Sequence, residues 1–196
     1  MTGARTAKYL LWTLLTVPAA VLLHRWATDA GLWPGDLLRP TGEWSARLII
    51  LALMLTPLSM LLPGQAWVKW LLRHRRAVGV AAFGYALLHL LFYVLDMETV
   101  RNMLAEARAP GIWTGWAAFL CLLPMALTSN QAAMRALKAG WKRLQRLAYP
   151  AALLTLAHWM LVHDGLAAAL ITFAPLAALQ LYRIIRFGRR RSPTPA

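Results

Sequence analysis

The chain has 196 residues, 60% of them hydrophobic and only 14% charged, with ten tryptophans and a formal net charge of +14. That leaves too little polar surface to clothe a soluble globule, so the composition reads as an integral membrane protein. The single cysteine, Cys121, excludes an intrachain disulfide and a thiolate metal cage; set in an apolar run, it reads as a small core residue.

In chain order, six segments are apolar enough to cross a hydrocarbon core as helices of about twenty residues. They lie at 9–26, 44–62, 77–95, 112–128, 147–162 and 166–187. The first follows Arg5 and Lys8 as a signal-peptide core would, but Ala27-Thr28-Asp29-Ala30 is a poor cleavage site, so it is read as a retained helix. The expected architecture is all-α: a polytopic bundle of six transmembrane helices over residues 1–187, followed by a basic, Pro-containing cytoplasmic tail at 188–196.

Charge placement sets the orientation, because short cytoplasmic loops keep the excess of Lys and Arg. With the N-terminus inside, Lys69, Arg73, Arg75 and Arg76 form one inner loop, and Arg135, Lys138, Lys142, Arg143 and Arg146 a second. Arg183 to Arg191 form an inner tail. The acids Asp29, Asp36, Glu43, Asp96, Glu98, Glu106 and Asp164 all fall on the opposite side, so both termini are expected in the cytoplasm. The basic charge is then explained by topology and anionic lipid headgroups, with no need for a nucleic-acid partner. Trp26, Trp33, Trp44, Trp113, Trp116 and Trp159 fall toward the outer boundary and Trp67, Trp70 and Trp141 toward the inner one, as amphipathic rings should. No soluble domain and no internal repeat is visible.

Two histidines stand out. His89 lies seven residues before Asp96 and His158 six before Asp164, which at 1.5 Å per residue puts both roughly 9 to 11 Å inside the outer boundary. Ionisable residues at that depth are costly and mark function, and two at matched depth point to a shared ligand. Neutral imidazoles bind haem iron axially, and a pair of them favours electron transfer over oxygen chemistry. Gly79, Ala82 and Ala86 share the helical face of His89, a smooth wall suited to a flat macrocycle. The competing reading is that each histidine only hydrogen-bonds a neighbouring helix. His24 and His74 read as interfacial residues, and His163, about 140° around the helix from His158, cannot replace it.

Several stretches resemble the MsrQ (formerly YedZ) family of the ferric-reductase-like transmembrane superfamily. They are Thr41-Gly42-Glu43-Trp44 with Thr56-Pro57-Leu58, Arg75-Arg76-Ala77-Val78-Gly79, Phe83-Gly84-Tyr85 through His89 to Phe92-Tyr93 and Asp96, Leu123-Pro124 with Thr128-Ser129, and Trp141 through Gln145 and Tyr149 to His158. The resemblance runs from about Thr41 to His163, and the first and last spans add little to it. It implies the haem-binding subunit of a bacterial inner-membrane electron-transfer system, not the catalytic reductase. Such subunits take electrons from the quinone pool or a cytosolic flavin reductase. They carry them through b-type haem, with FMN also implicated, to a periplasmic molybdopterin subunit that reduces methionine sulfoxide in damaged proteins. The matched metal ligands are His89 and His158.

One departure bears on haem number. The family's usual Leu-His-Arg-Leu reads here Leu144-Gln145-Arg146-Leu147, and the superfamily's two-haem members place inner histidines where this chain has Gln145 and Arg75 or Arg76. Glutamine is a weak iron ligand and arginine none, so one outer haem is expected, with the inner one left open. Gln145 could reach the face of His158 only across a bend, for which Pro150 is the candidate, and its alternative reading is an interfacial polar residue. Arg75 and Arg76 are candidates for a flavin phosphate or a propionate, or else are positive-inside anchors. Arg47 and Arg101 are outer candidates for propionates. Ser59 and the loop from Arg108 to Gly115 also depart from the family pattern, which bears on partner contacts. Two other functions share parts of this pattern: an electron carrier of ferric-reductase or quinone-dependent type serving another acceptor, and a small transporter or proton relay. The transporter would need intramembrane carboxylates, and every acid lies in an outer loop.

Overall fold

The computed structural model describes residues 2–162 and 165–189, and among these there are helices and turns but no strand. The helices are α1 (Thr2–Thr28), α2 (Leu38–Leu61), α3 (Ala66–Met97), α4 (Val100–Glu106), α5 (Pro110–Leu127), α6 (Gln131–Leu137), α7 (Ala139–Leu144), α8 (Ala148–Val162) and α9 (Leu166–Arg189). Short 3-10 turns at Pro34–Leu37 and Gln145–Leu147 lead into α2 and α8. His163, Asp164 and the tail from residue 190 onward lie outside the described residues.

Local chemistry sets the boundaries. Thr99 and Asn130 cap α4 and α6 by accepting the backbone N–H of Asn102 and Ala133. Pro110 opens α5, where a missing N–H costs nothing. Lys138, at φ 48°, takes the left-handed conformation that separates α6 from α7.

Five helices are long and apolar enough to cross a membrane: Thr6–Thr28 of α1, α2 with its preceding turn, α3, α5 and most of α9. The segment expected as a fifth span falls short of that length. Its helix, α8, has 15 residues, about 22 Å of rise against a hydrocarbon core of about 30 Å. The reason lies at its start, where the 3-10 turn at Gln145–Leu147 separates α8 from α7. Pro150, the candidate for a bend, sits in the first turn of α8, where its missing N–H costs nothing.

Two helix pairs form the core. Helix α2 lies along α3 and α5 along α8, α3 and α5 join the pairs, and α9 packs on α2 and α8. The Ser45 hydroxyl donates to the Ala82 carbonyl at 2.9 Å, fastening α2 to α3. Gly111 brings α5 against Val162 of α8, where a Cβ would come within 2.6 Å. Trp159, placed by sequence near the outer boundary, is buried in the core, and Cys121 packs against the same cluster.

Helix α1 touches mainly α3, and its attachment is specific. The Tyr85 hydroxyl donates to the Leu15 carbonyl at 2.9 Å and accepts the Ala19 N–H at 3.0 Å, bridging two backbone groups one turn apart beside Pro18. Tyr85→Phe keeps the ring, which stacks on Trp44 at 5.9 Å, but removes the bridge from a buried position. We expect a loss of about 1 to 3 kcal/mol, seen as a lower unfolding midpoint in detergent and faster proteolysis of α1; an unchanged midpoint would show the bridge to be dispensable.

A paired-histidine cleft and a cationic cavity

The two helix pairs each deliver one histidine to a common cleft. His89 of α3 and His158 of α8 face each other with ring centroids 6.0 Å apart and planes at 87°. Each ring is held in the same way. The Nδ1 of His89 lies 2.8 Å from the carbonyl of Leu38 in the first turn of α2, and that of His158 lies 2.7 Å from the carbonyl of Gly111 in the first turn of α5. A ring nitrogen so close to a carbonyl oxygen carries the hydrogen, which in a neutral imidazole puts the lone pair on Nε2. This is the arrangement that orients and strengthens a metal-binding histidine.

The two sockets repeat one design. In each, a threonine three residues beyond the carbonyl back-bonds to it: Thr41 to Leu38 at 3.0 Å and Thr114 to Gly111 at 2.7 Å. The next residue is glycine. A Cβ on Gly42 would stand 3.1 Å from Nδ1 of His89, and one on Gly115 would stand 2.8 Å from Nδ1 and Cε1 of His158. The imidazoles therefore lie where side chains would otherwise be. Sequence reasoning named Thr41, Gly42 and Gly115 only within stretches compared with the family and gave none of them a place at the site, although Thr-Gly occurs within the apolar chain at 41–42 and again at 114–115.

The cleft between the rings encloses about 100 Å³ and is partly open, so a flat ligand lodged there would extend beyond the enclosed space. Its walls are mostly apolar, including Ala86, Ile112, Phe119 and Leu122, and carry no charged side chain. Two imidazoles that bind one metal ion from opposite sides, at about 2 Å each, have ring centres roughly 6 Å apart, which matches the separation found. Among the described residues no group of three or more His, Cys, Asp or Glu could hold a metal ion. A macrocycle supplies the remaining ligands of an iron held by two imidazoles, and the donor set, the spacing and the glycine sockets all fit such a group.

Arg75, Arg76 and Gln145 do not join this cleft. They line a second cavity of about 530 Å³ toward the start of α3, together with Lys142, Arg146 and Arg183. No acidic side chain lines it, and the two ion pairs among the described residues both use Glu43, elsewhere on α2. Arg75 donates to the Thr56 hydroxyl, Arg76 to the Met134 sulfur and Arg183 to the Tyr149 hydroxyl. The Gln145 side-chain amide donates to the Met125 carbonyl at 3.2 Å. Gly79 and Ala82 line this cavity, whereas Ala86 lines the histidine cleft, so the small-residue wall of α3 serves both. Leu122 lines both and forms part of the partition. The contributions of Lys142, Arg146 and Arg183 were not foreseen, since only the fold brings the end of α7, the following turn and α9 together.

The remaining candidates lie apart. Arg47 is ion-paired with Glu43 at 2.6 Å, and neither it nor the exposed Arg101 lines the cleft. The His74 ring bonds the Trp70 carbonyl and packs on the Trp70 ring at 4.4 Å, and His24 is exposed on α1.

Residues 41–156 match the model for the ferric reductase like transmembrane component. The chain is 39% identical to the protein-methionine-sulfoxide reductase heme-binding subunit MsrQ of Xanthomonas axonopodis pv. citri, over 80% of this chain and 75% of that one. The same-named proteins of Caulobacter vibrioides and Azospira oryzae are 38% and 36% identical over 92% and 96% of this chain and 87% and 82% of theirs. The chain belongs to the MsrQ family. Its ferric-reductase-like match takes in Thr41, Gly42 and His89 and the whole second socket, and stops two residues before His158. No solved structure matches this MsrQ-family chain.

Proposed function

We propose that this MsrQ-family chain is the membrane electron-transfer subunit of a protein-methionine-sulfoxide reductase, holding one b-type haem between His89 and His158. The observation that carries the proposal is the opposed pair of imidazoles 6.0 Å apart, each with Nδ1 on a helix-end carbonyl. Haem supplies reversible one-electron chemistry when bound. His89 and His158 would hold it through their imidazoles, and the mostly apolar walls would keep its surroundings poor in polar groups. The Leu38 and Gly111 carbonyls hold each ring in the required tautomer throughout.

Electrons would enter from quinol or a cytosolic flavin reductase and leave to a periplasmic molybdopterin subunit; the names of the relatives support a protein-methionine-sulfoxide reductase as the redox partner. In this reading the chain lies in the bacterial inner membrane with both termini cytoplasmic. Helix α8, extended by α7 and the turn between them, makes the sixth crossing. The gathering of cations around the second cavity supports that orientation. The same cavity suits FMN: Arg75 and Arg76 offer planar forks to a phosphate, and Trp141 and Tyr149 offer aromatic walls. No histidine lines it, and the side-chain amide of Gln145 is engaged by a backbone carbonyl, which favours flavin over a second haem there.

Two measurements test this reading together. The protein purified after expression with ample haem should show a low-spin b-type spectrum on dithionite reduction, with about one haem per chain. Membranes containing it should support methionine sulfoxide reduction by the cognate periplasmic subunit. A colourless protein rules out the haem, whereas a haem-loaded protein unable to drive that subunit points to another acceptor.

A further inference from the structure

The cationic cavity takes part of its wall from a helix that the family model does not reach. The model match ends at residue 156, whereas Arg183 lies on α9, is half-buried and lines the cavity. A relay of side chains holds it there. The Gln180 side-chain amide donates to the Leu53 carbonyl of α2 at 3.1 Å, and its Oε1 accepts from Nη1 of Arg183 at 3.4 Å. The same Nη1 donates to the Tyr149 hydroxyl of α8 at 2.7 Å. Both bonds leave from one end of the guanidinium, so the donors on Nε and Nη2 remain for a ligand.

A cation that only anchors a helix end belongs among lipid headgroups. Arg186, one turn on, fits that role: it is exposed and bonded to Tyr182 of its own helix. Arg183 is instead tied across to α8 and, through Gln180, to α2. Arg75 reaches the same part of α2 from α3, donating to the Thr56 hydroxyl at 3.1 Å, and Thr56 stands three residues, about one turn, beyond Leu53. Two guanidiniums from different helices are thus brought to one turn of α2 on neutral partners, in a cavity that no acidic side chain lines. Like charges so placed repel, and a ligand anion relieves that. Each offers the planar fork that suits a phosphate.

We infer that Arg183 is a phosphate-binding residue: with Arg75 it grips the phosphate of the flavin held in this cavity, so that α9 sets the preference for the phosphorylated over the unphosphorylated flavin. The inference rests on the flavin reading above and adds to it a second fork, supplied by the last helix.

The test is a cycle between side chain and ligand. The whole chain, flavin-depleted and in detergent, is titrated with FMN and with riboflavin, which lacks the phosphate, and binding is followed by flavin fluorescence. The wild type should bind FMN at least about tenfold more tightly than riboflavin, the worth of one charge-assisted contact or more. Arg183→Met should lose about tenfold for FMN and nothing for riboflavin, while Arg186→Met binds both as the wild type does. Should Arg183→Met fail to fold, Arg183→Lys, which keeps the charge but not the fork, should lose severalfold for FMN alone. Equal losses with both flavins, or an unchanged preference for FMN in the Arg183 variant, would overturn the assignment. So would an equal loss in Arg186→Met, which would reduce the effect to net charge, or a wild type indifferent to the phosphate, which would leave Arg183 a membrane anchor. A wild type that binds neither flavin overturns the flavin reading itself, and this inference with it.

Discussion

Replacing either His89 or His158 with alanine is expected to abolish the low-spin b-type absorption of the haem-loaded protein and to lower its haem content at least about tenfold, because the cleft offers the iron no substitute ligand. Nothing else in the walls compensates: the Ser45 and Thr155 hydroxyls are engaged by backbone carbonyls, and no cysteine, methionine, carboxylate or further histidine lines the cleft. The double replacement should behave no worse than the single ones, since a mutually dependent pair is not additive. His24→Ala and His74→Ala serve as controls, one exposed on α1 and the other bonded to Trp70. Haem content measured on detergent-purified protein decides the matter. Retention of low-spin haem in the double variant would show that these imidazoles do not ligate it.

Gly115→Ala should damage the site almost as much without touching either ligand. The added methyl would stand 2.8 Å from two atoms of the His158 ring, closer than packed atoms tolerate, and the ring can yield only by leaving its 2.7 Å contact with the Gly111 carbonyl. Overpacking of this kind costs about 1 to 3 kcal/mol, which outweighs the gain of about 1 kcal/mol from replacing a helical glycine with alanine. Haem affinity is then expected to fall by up to roughly thirtyfold. Gly42→Ala should be milder, because the corresponding approach to His89 is 3.1 Å and a small shift relieves it. Gly84→Ala, with nothing within 4 Å of the new methyl, should slightly stabilise α3 and leave haem unchanged. Haem titration of the three variants gives the order; a Gly115→Ala protein that binds as the wild type does would mean the ring is not seated as described.

The candidate ligands were legible in the sequence because a histidine within an apolar run has few inexpensive explanations. Their sockets were not. Gly42 and Gly115 look like ordinary small residues of membrane helices until α2 is laid along α3 and α5 along α8. The propionate candidates Arg47 and Arg101 had only nearness in sequence to recommend them, and the fold gives Arg47 to Glu43.

Composition and charge placement alone determined that this is a helical membrane chain with its cations and acids segregated, since the hydrocarbon core admits little else. They also determined that His89 and His158 are its exceptional residues. Only the tertiary structure decided that the two rings meet at 6.0 Å, that Arg75, Arg76 and Gln145 belong to a different cavity, and that α8 is too short to count as a span by length. The division follows from range: hydropathy and charge act on each segment separately, whereas a binding site depends on which helices lie side by side, and that is set by contacts between residues far apart in the chain.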